Sequence, residues 1–338
     1  MRIEKEKSLH AYNTFGIDVN AKLFAVFHTV NDLKELLSDE TLRHENRLVL
    51  GGGSNLLFTS DFDGVVLKNE VHGIELIRES PEHYYVKVGA GENWHQFVLH
   101  SIEQGWAGLE NLSLIPGCVG ASPMQNIGAY GVEIKDRFEQ LEALNIKTLE
   151  VETFTEEDCE FGYRESIFKH SFKDQYIITS VIFRLFKSPQ INTSYGAIEA
   201  KLEEMGITEP TIKNVSDAVI SIRSSKLPDP SEIGNSGSFF KNPVITNEQF
   251  ESVKAKHPGI VSYPAGPGHK KVAAGWLIDN AGWKGHTEGS YGVHKEQALV
   301  LVNYGGAAGS QIYELSSEIV KSIQEKYGIQ LEREVNIF

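Results

Sequence analysis

The sequence predicts an α+β fold, because strand-like and helix-like segments are mixed along the chain without a regular β-α-β alternation. A second observation argues against the dinucleotide-binding fold that uses a helix N-terminus. The glycine run Gly51–Gly53 follows a strand signal, but it lacks the G-x-G-x-x-G spacing and leads into another apolar, strand-like stretch. The third observation is the chain length, which concerns the number of domains: 338 residues suggest two or three units that each bury a core.

The first half of the chain predicts mainly strands. Apolar runs of strand length occur in "RLVLGGGSNLLF", "GVVLKN", "YYVKVGAG", "LEALNIKTLEVETF" and "YIITSVIFRLF". The exception is "NWHQFVLHSIEQG", which predicts a helix with Trp94, Phe97, Val98 and Ile102 on one face and Gly105 as its stop. The segment "LSLIPGCVGASPMQNIGAYG" is too broken by glycine and proline for either period and too apolar for a free linker. We therefore expect it to lie against another surface.

The second half predicts most of the helices and a domain junction. "YGAIEAKLEEMG" and "SDAVISIRSSK" are typical of helices, and the proline-, serine- and glycine-rich stretch from Arg223 to Ser238 then indicates a junction. Beyond it we expect a strand from Gly237, helices at "NEQFESVKAKH" and "KVAAGWLIDNAG", and a strand at "QALVLVN". The last long helix is expected to be capped by Ser310, to place Ile312, Leu315, Ile319 and Ile323 in one apolar stripe, and to end at Gly328. "LEREVNIF" closes the chain as a strand.

Composition and charge narrow the classes of function. The chain is 41% hydrophobic and 23% charged, with no signal-peptide pattern and no apolar run long enough to span a membrane, so we expect a cytoplasmic protein. Its net charge of −14 argues against nucleic acids and anionic membranes as partners. The two cysteines, Cys118 and Cys159, match no disulfide framework and no metal spacing, and we expect buried free thiols.

One segment departs from the acidic character of the whole. Arg223–Asn303 carries nine Lys and Arg against seven acids, a balance of +2. Such a segment is a candidate for binding a small anionic ligand, although a solvated surface of mixed charge would give the same count.

Two glycine-containing stretches raise the question of chemistry. In "GNSGSFFKNP" (234–243) the serine-hydrolase signature G-x-S-x-G would need glycine in place of Ser238, and no histidine is present, so on its residues alone this is a loop that enters a strand. "GGGSN" is either a structural turn or a row of backbone N–H groups that binds a diphosphate, with Ser54 and Asn55 as further donors. The second glycine-rich loop favours the ligand interpretation, because two such loops can enclose a large nucleotide.

Nine short motifs, in the same order throughout, resemble the UDP-N-acetylenolpyruvoylglucosamine reductase family of flavoenzymes. They extend from about residue 10 to residue 338 and are "NTFGI", "GGGSN", "IPGCVGASPMQNIGAYG", "FGYRES", "KLPDP", "GNSGSFFKNP", "AAGWLID", "VHKEQALVLVN" and "LEREV". The segment "NTSYGAIEAKL" and the ending "LEREVNIF" are similar to the variety that keeps a tyrosine-bearing loop over the active site.

The resemblance implies a vanillyl-alcohol-oxidase-like FAD-binding fold with two α+β lobes, and a third α+β domain for the substrate. The first lobe would comprise residues 1–69 together with 326–338, the second lobe residues 70–223, and the substrate domain residues 224–325. The implied activity is the NADPH-dependent reduction of UDP-N-acetylglucosamine enolpyruvate to UDP-N-acetylmuramate in peptidoglycan precursor synthesis.

The resemblance also implies how the ligands are used. NADPH would reduce FAD and leave, and the enolpyruvyl sugar nucleotide would then occupy the same site. A single shared site fits the lack of a second nucleotide-binding glycine motif. Some relatives of the fold attach flavin covalently through a histidine beside the first glycine loop, but Ser54 and Asn55 stand there, so we expect non-covalent FAD. The family is mostly monomeric, and no metal is expected.

By the family pattern three residues carry the chemistry. Ser238 would donate a proton after hydride reaches the terminal enolpyruvyl carbon, and Arg164 would bind the carboxylate as negative charge develops. Glu334 would have to be protonated beside that carboxylate, which requires burial and like charge to raise its pKa. Without the resemblance, an ion pair with Glu165 is the simpler role for Arg164, and Glu334 is an ordinary charge on a terminal strand.

The remaining expectations concern binding. Substrate contacts are implied for Tyr130, Tyr163, Tyr195, Lys226, Asn242 and Gln297. FAD contacts are implied for Gly51, Gly52, Gly53, Ser54, Asn55, Ile115, Pro116, Gly117, Gly120, Ala121, Gln125, Asn126, Gly128, Ala129 and Gly131. Lys241 is expected at the surface and His294 in a structural role. The alternatives are another FAD-linked oxidase or dehydrogenase of the same fold, and a non-catalytic sugar-nucleotide-binding protein; both would lack the catalytic three residues.

Overall fold

The computed structural model of the protein describes residues 2–338, which divide into two compact units. Unit 1 consists of the segment that ends at Lys7, together with Ala21–Gly52 and Asp63–Ser225. Unit 2 consists of Ser8–Asn20, Gly53–Phe62 and Lys226–Phe338. The three-domain division expected from the sequence is not tested by these two units, and it stays a prediction.

Twenty strands lie within residues 2–338. They are β1 (Glu4–Ser8), β2 (Asn20–Phe27), β3 (Arg47–Leu50), β4 (Leu56–Leu57), β5 (Phe62–Asn69), β6 (Ile74–Glu79), β7 (His83–Gly89), β8 (Gly128–Ala129), β9 (Val132–Glu133), β10 (Phe138–Asn145), β11 (Val151–Thr155), β12 (Tyr176–Phe186), β13 (Gly234–Ser238), β14 (Val244–Thr246), β15 (Ser262–Pro264), β16 (His269–Val272), β17 (Thr287–Glu288), β18 (Tyr291–Val293), β19 (Val300–Asn303) and β20 (Asn336–Ile337).

Eight α-helices accompany them in the same described part of the chain. They are α1 (Val30–Ser38), α2 (Trp94–Glu103), α3 (Glu156–Cys159), α4 (Gly196–Glu204), α5 (Ile212–Lys226), α6 (Asn247–Lys256), α7 (Ala274–Asn280) and α8 (Gly309–Tyr327). No helix within residues 2–338 combines the length and the apolar character that crossing a membrane would need.

Unit 1 contains two larger sheets. One has the order β1-β2-β5-β3, and the other is antiparallel with the order β11-β10-β12-β7-β6. Strand β12 is central in the second sheet because its sequence is almost continuously apolar and nearly all of it is buried. Helix α2 packs on this sheet through Trp94 and Phe97, whose rings lie 5.8 and 5.1 Å from that of Phe183. The burial of each such side chain contributes about 1.5–3 kcal/mol to folding.

A separate small core in unit 1 lies between α4 and α5. Its buried residues are Ile198, Leu202, Val215, Ala218, Val219 and Ile222. Tyr130 and Ile191, from segments outside these helices, are partly buried against it. This core therefore brings the end of the glycine-rich loop to the helix pair that follows the tyrosine-bearing segment.

Unit 2 is built on a sheet of order β13-β19-β18-β17 and a three-stranded sheet of order β14-β16-β15. Helix α8 buries Ile312, Leu315, Ile319 and Ile323 at helical spacing, as its sequence predicts. Strand β20 pairs in parallel with β4, from Asn336 opposite Leu56. The antiparallel sheets and the irregular order of strands and helices in both units confirm the predicted α+β class.

Several element boundaries differ from the sequence prediction. The closing strand is limited to Asn336–Ile337 of "LEREVNIF", and the helix predicted at "SDAVISIRSSK" already begins at Ile212. Helix α8 begins at Gly309, and the backbone N–H of Ala308 donates to Oε1 of Gln311 at 2.9 Å, so Ser310 lies inside the first turn and is not the cap. Strand β13 begins at Gly234, before the predicted start at Gly237, because Gly234 and Asn235 already pair with β19. The predicted stop at Gly328 is confirmed by its left-handed φ of 67°.

Candidate active site

Gly53 of the first glycine loop belongs to unit 2, where the "NTFGI" segment holds it. The carbonyl of Gly53 accepts a hydrogen bond from the backbone N–H of Thr14 at 3.0 Å. Gly53 has a φ of 63°, and a Cβ atom at this position would collide with the carbonyl oxygen of Tyr12. Both the conformation and the close approach require glycine. The side chain of Asn13 holds the segment by donating to the carbonyls of Leu9 and Ile17 at 2.8 and 3.0 Å.

We expect Gly53→Ala to lose bound FAD. The left-handed backbone alone costs a non-glycine residue about 1–3 kcal/mol, and the clash with Tyr12 displaces the loop as well. The measurement is the visible flavin absorbance per mole of purified protein, compared with Gly266→Ala. Gly266 has a φ of 84°, and a Cβ atom on it would meet nothing within 4 Å, so it controls for backbone strain in the same unit. Equal flavin content in both variants would contradict the role of Gly53.

The two glycine-rich loops meet in unit 1. A Cβ atom on Gly52 would lie 2.9 Å from Cα of Gly117, and one on Gly51 would lie 3.4 Å from Cβ of Cys118. A side chain at position 52 would therefore push the loops apart. Glycine at position 52 therefore allows the two predicted FAD loops to approach each other closely.

The second loop, residues 115–131, contains Asn126, whose side chain attaches the loop to other segments of unit 1. This residue is buried in the left-handed conformation with a φ of 43°. Its Nδ2 donates to Oε2 of Glu133 at 2.8 Å and to the carbonyl of Gly162 at 3.0 Å, and its Oδ1 accepts from the backbone N–H of Lys135. The side chain of Asn126 thus joins the predicted FAD loop to the segment that carries the predicted catalytic arginine.

Arg164 is held on the same loop. Its Nη2 donates to the carbonyl of Gly128 at 2.8 Å, and its own φ is 58°. The guanidinium lies over the ring of Tyr163, 5.4 Å from the ring centroid. A left-handed, non-glycine residue is a strained conformation of the kind that concentrates at functional sites. Glu165, the alternative ion-pair partner considered for Arg164, has its Oε2 2.7 Å from Nε2 of His170.

Two predicted substrate-binding tyrosines are in contact in unit 1. The rings of Tyr130 and Tyr195 form an edge-to-face pair with centroids 5.3 Å apart. Burial raises the pKa of Tyr130, whereas 46% of Tyr195 is exposed. Nδ2 of the buried Asn111 donates to the carbonyls of Tyr130 and Asn192 at 3.1 and 3.0 Å. Asn111 therefore ties the glycine-rich loop to the tyrosine-bearing segment, a role that sequence reasoning missed.

Ser238 lies at the end of a bulge in β13. Asn235 is opposite Val302, but Ser238 is opposite Val300, so β13 has one residue more than β19 over this interval. Gly237 lies within the bulge and has a left-handed φ of 67°, and its N–H donates to Oδ1 of Asn235 at 2.9 Å. A bulge changes which way the next side chain points and often lies beside an active site.

Ser238, the predicted proton donor, and Glu334, the predicted protonated carboxyl, lie on neighbouring segments of unit 2. The backbone N–H of Glu334 donates to the carbonyl of Phe239, the residue after Ser238, at 2.8 Å. Nδ2 of Asn55 donates to the carbonyl of Glu334 at 3.3 Å, although the two residues are 279 positions apart in the sequence. Hydrogen bonds of the Glu334 backbone thus bring together the motifs "GGGSN", "GNSGSFFKNP" and "LEREV", which are far apart along the chain.

Two of the predicted substrate residues meet at the start of α7. Oδ1 of Asn242 accepts from the N–H of Ala274 at 2.9 Å, which leaves Nδ2 as the end that can donate to a ligand. A Cβ on Gly275 would lie 3.5 Å from Oε1 of Gln297. Lys226 ends α5 with an exposed side chain, and no hydrogen bond within residues 2–338 joins it to Asn242 or Gln297.

The surface expectation for Lys241 is wrong. This residue is only 6% exposed, and its Nζ lies 2.5 Å from Oε1 of Glu332. The cause is the returning C-terminal segment, because Lys241 N–H donates to the carbonyl of Glu332 and Phe240 bridges to Arg333. Strand pairing covers the aliphatic stem of Lys241, and its ammonium group pairs with the exposed carboxylate of Glu332.

His294, which was expected in a structural role, is 8% exposed, and burial lowers its pKa.

The two cysteines are buried free thiols, as expected. Burial raises the pKa of Cys159 to about 12 and raises that of Cys118, which contacts the first glycine loop. Both thiols therefore stay protonated at neutral pH and are poor nucleophiles.

Comparisons with known proteins bear on both units. A family model described as an FAD binding domain matches residues 21–152, and one described as the UDP-N-acetylenolpyruvoylglucosamine reductase C-terminal domain matches residues 229–338. The chain is 53% identical to the UDP-N-acetylenolpyruvoylglucosamine reductase of Flavobacterium johnsoniae over 338 residues, which is 100% of each protein.

Solved structures show the same similarity. The reductase of that name from Thermus caldophilus matches with a TM-score of 0.68 and 25% identity, covering 100% of this chain and 99% of its own. A 6-hydroxy-D-nicotine oxidase from Arthrobacter nicotinovorans matches with a TM-score of 0.53 and 12% identity, covering 97% and 83%. The second match concerns the fold alone, and together with the first it confirms the predicted flavin-binding fold.

Proposed function

The chain belongs to the UDP-N-acetylenolpyruvoylglucosamine reductase family, and from that membership we propose how its own residues carry out the reduction. It is an FAD enzyme that converts UDP-N-acetylglucosamine enolpyruvate to UDP-N-acetylmuramate in peptidoglycan precursor synthesis. The observation that carries the proposal is the placement of Ser238 after a bulge, on the strand whose following residue pairs with Glu334.

Ser238 is the proton donor. Reduction adds hydride to the terminal carbon of the enolpyruvyl group and leaves negative charge on the adjacent carbon and its carboxylate. A hydroxyl is a weak acid, but an enolate-like carbon is basic enough to take its proton. No histidine is needed to activate Ser238, because here the hydroxyl gives up a proton to the substrate and forms no bond to it.

Arg164 binds the carboxylate while this charge develops. Its planar fork offers two N–H donors to two carboxylate oxygens, a geometry that an ammonium group does not match. The hydrogen bond from Nη2 to the Gly128 carbonyl and the strained backbone support a fixed orientation before substrate arrives. A positive charge fixed in this way accelerates the reaction because it stabilises the negative charge that develops in the transition state.

Glu334 is the second group beside the enolpyruvyl carboxylate. Its backbone is fixed on one side by Phe239 and on the other by Asn55, so its position does not depend on a flexible terminus. In the protonated form the Glu334 carboxyl donates a hydrogen bond to the substrate as charge accumulates. An ionised Glu334 would repel the same charge.

Six residues bind the remainder of the substrate. Asn242 and Gln297 offer amide donors for the diphosphate, Lys226 adds a cation, and Tyr195 covers the uridine end from its exposed position. Tyr130 and Tyr163 line the site from the glycine-rich loop and the arginine segment. Lys226 is the one cation among the six, and it lies in the locally basic segment Arg223–Asn303.

The two glycine-rich loops would hold FAD without a covalent bond. The residues proposed for it are Gly51–Asn55 and, in the second loop, Ile115, Pro116, Gly117, Gly120, Ala121, Gln125, Asn126, Gly128, Ala129 and Gly131. When bound, FAD would supply the hydride chemistry, which couples oxidation of NADPH to reduction of the substrate. NADPH and the sugar nucleotide use one site in turn, and the protein works as a monomer in the cytoplasm.

The test is the flavin spectrum under anaerobic conditions. Purified protein is expected to be yellow, to bleach on addition of NADPH, and to regain colour on addition of UDP-N-acetylglucosamine enolpyruvate. UDP-N-acetylglucosamine, which lacks the enolpyruvyl group, is the matched control and should leave the protein bleached. Reoxidation by oxygen alone would favour an oxidase of the same fold, and a colourless protein would favour a sugar-nucleotide-binding protein.

A further inference from the structure

Leu114 is the residue immediately before the second FAD loop, and its backbone is strained. Its φ is 58°, in the left-handed region that a leucine rarely adopts. The cost of holding a non-glycine residue there is about 1–3 kcal/mol. Neighbouring groups must therefore stabilise this conformation, because a relaxed Leu114 would redirect the chain that enters Ile115–Gly117.

Two side chains from different helices of unit 1 hold the two sides of Leu114. Its backbone N–H donates to Nδ1 of His95 in α2 at 3.0 Å. Its carbonyl accepts from Nε of Arg223 in α5 at 3.2 Å. Because Nδ1 of His95 accepts this bond, the proton of the neutral imidazole is on Nε2.

The residues on either side of Leu114 are fixed by the same helices. Nε1 of Trp94 donates to the carbonyl of Leu112 at 2.9 Å, and the backbone N–H of Trp94 donates to the carbonyl of Gly117 at 3.0 Å. The hydroxyls of Ser113 and Ser216 are 2.7 Å apart and both residues are buried. The chain from 112 to 117 is thus attached to α2 or α5 at four of its residues, and the strained one lies in the middle.

We propose that His95 and Arg223 are positioning residues for FAD, which act by holding Leu114 in its left-handed conformation and so setting the entry of loop 115–131. The inference rests on the proposed function in that this loop binds FAD. Neither residue needs to touch the cofactor. Sequence reasoning gave His95 no role and counted Arg223 only as part of a basic segment.

The arrangement makes FAD retention depend on pH. Only neutral His95 can accept from Leu114, and protonation of Nδ1 would replace the acceptor by a second donor. Burial and the facing cation of Arg223 lower the pKa of His95 from its ordinary value of 6.5, and Arg223 is the charged group that acts on it across the helix pair. The hydrogen bond to neutral His95 therefore stabilises Leu114 fully above pH 6.5, and this stabilisation is lost as the pH falls through the lowered pKa of His95.

The experiment measures how fast FAD leaves the full-length holoenzyme. Holoenzyme is diluted at a series of pH values from 8 to 5, and free FAD is followed by the rise in flavin fluorescence. His95→Leu removes the acceptor and should release FAD about 10-fold faster than wild type at pH 8. His95→Asn places Oδ1 near the position of Nδ1 without a titrating group. It should release FAD at about the wild-type rate at pH 8 and lose the acceleration that wild type shows at low pH.

Two further variants separate positioning from general damage to the fold. Arg223→Lys keeps the cation beside His95 but loses the Nε donor, so FAD should leave faster at every pH while the midpoint of the pH profile stays unchanged. His100→Asn changes another histidine of α2, one whose ring packs on Trp106 at 5.6 Å, and should behave as wild type. Circular dichroism of each holoenzyme checks that the fold is kept.

The outcomes are distinct. Equal release rates in wild type and His95→Leu, or equal acceleration in His95→Asn and His95→Leu, would overturn the positioning role of His95. A wild-type rate independent of pH would overturn the requirement for a neutral imidazole. Purification of wild-type protein without FAD would overturn the proposed function, and this inference with it.

Discussion

Ser238→Ala should leave reduction of the flavin by NADPH at about the wild-type rate and slow reoxidation by the enolpyruvyl substrate by about 1,000-fold. The reason is that Ser238 acts only after hydride has reached the substrate, and loss of a general acid costs about two to four orders of magnitude. Anaerobic stopped-flow absorbance measures the two half-reactions separately, with NADPH in one experiment and the sugar nucleotide in the other.

Ser236→Ala is the matched control for this result. Ser236 lies on the same strand, is 7% exposed, and donates from Oγ to the carbonyl of Leu56 at 3.2 Å. Its removal should cost about 1 kcal/mol of stability and should leave the ratio of the two half-reaction rates unchanged. A Ser238→Ala enzyme that is slowed equally in both half-reactions would show that Ser238 does not donate the proton.

Arg164→Lys should slow reoxidation of the reduced flavin by about 100- to 1,000-fold, although the positive charge is kept. Lysine is a point charge without the planar fork, so it binds a carboxylate but does not reproduce the two fixed donors that meet the developing dianion. It also loses the hydrogen bond by which Nη2 is held to the Gly128 carbonyl. The single-turnover rate at saturating substrate measures this loss apart from weakened binding.

Arg184→Lys provides the comparison for Arg164→Lys. Arg184 lies on β12 of the same unit, with Nη1 3.6 Å from Oε2 of Glu139, and both side chains are partly exposed. A surface pair of this kind contributes about 0–1 kcal/mol, so the single-turnover rate should not change. If Arg164→Lys raised only the substrate concentration needed for half-saturation and left the saturated rate intact, Arg164 would bind the substrate without stabilising its transition state.

The sequence was a good guide to elements whose pattern is local. The helical stripe of α8, its stop at Gly328 and the central apolar strand β12 depend on periods of a few residues, and the structure has them where the pattern puts them. The cap at Ser310 failed because an N-cap depends on which backbone N–H is left unpaired. Here the side chain of Gln311 reaches back to the N–H of Ala308, the residue just before the helix begins.

Elements that depend on distant pairing were beyond the sequence. Nothing local distinguishes Lys241 from an exposed lysine, and its burial follows from the C-terminal segment that pairs with it about ninety positions later. The contact of Asn111 with Tyr130 and Asn192 is likewise invisible in a single sequence, because an asparagine beside glycine-rich segments predicts only a turn.

The sequence by itself determined the family, the α+β class, and which residue types are available for hydride-coupled proton transfer: a serine, an arginine and a glutamate in recognisable motifs. Only the tertiary structure decided that Ser238 follows a bulge beside Glu334, that Asn126 braces the arginine segment, and that a strained Leu114 is held by His95 and Arg223. The physical reason is that motifs record side-chain chemistry. Backbone pairing, bulges and left-handed residues depend on the free energy of contacts between segments far apart in the chain, and that free energy is decided only when the whole core packs.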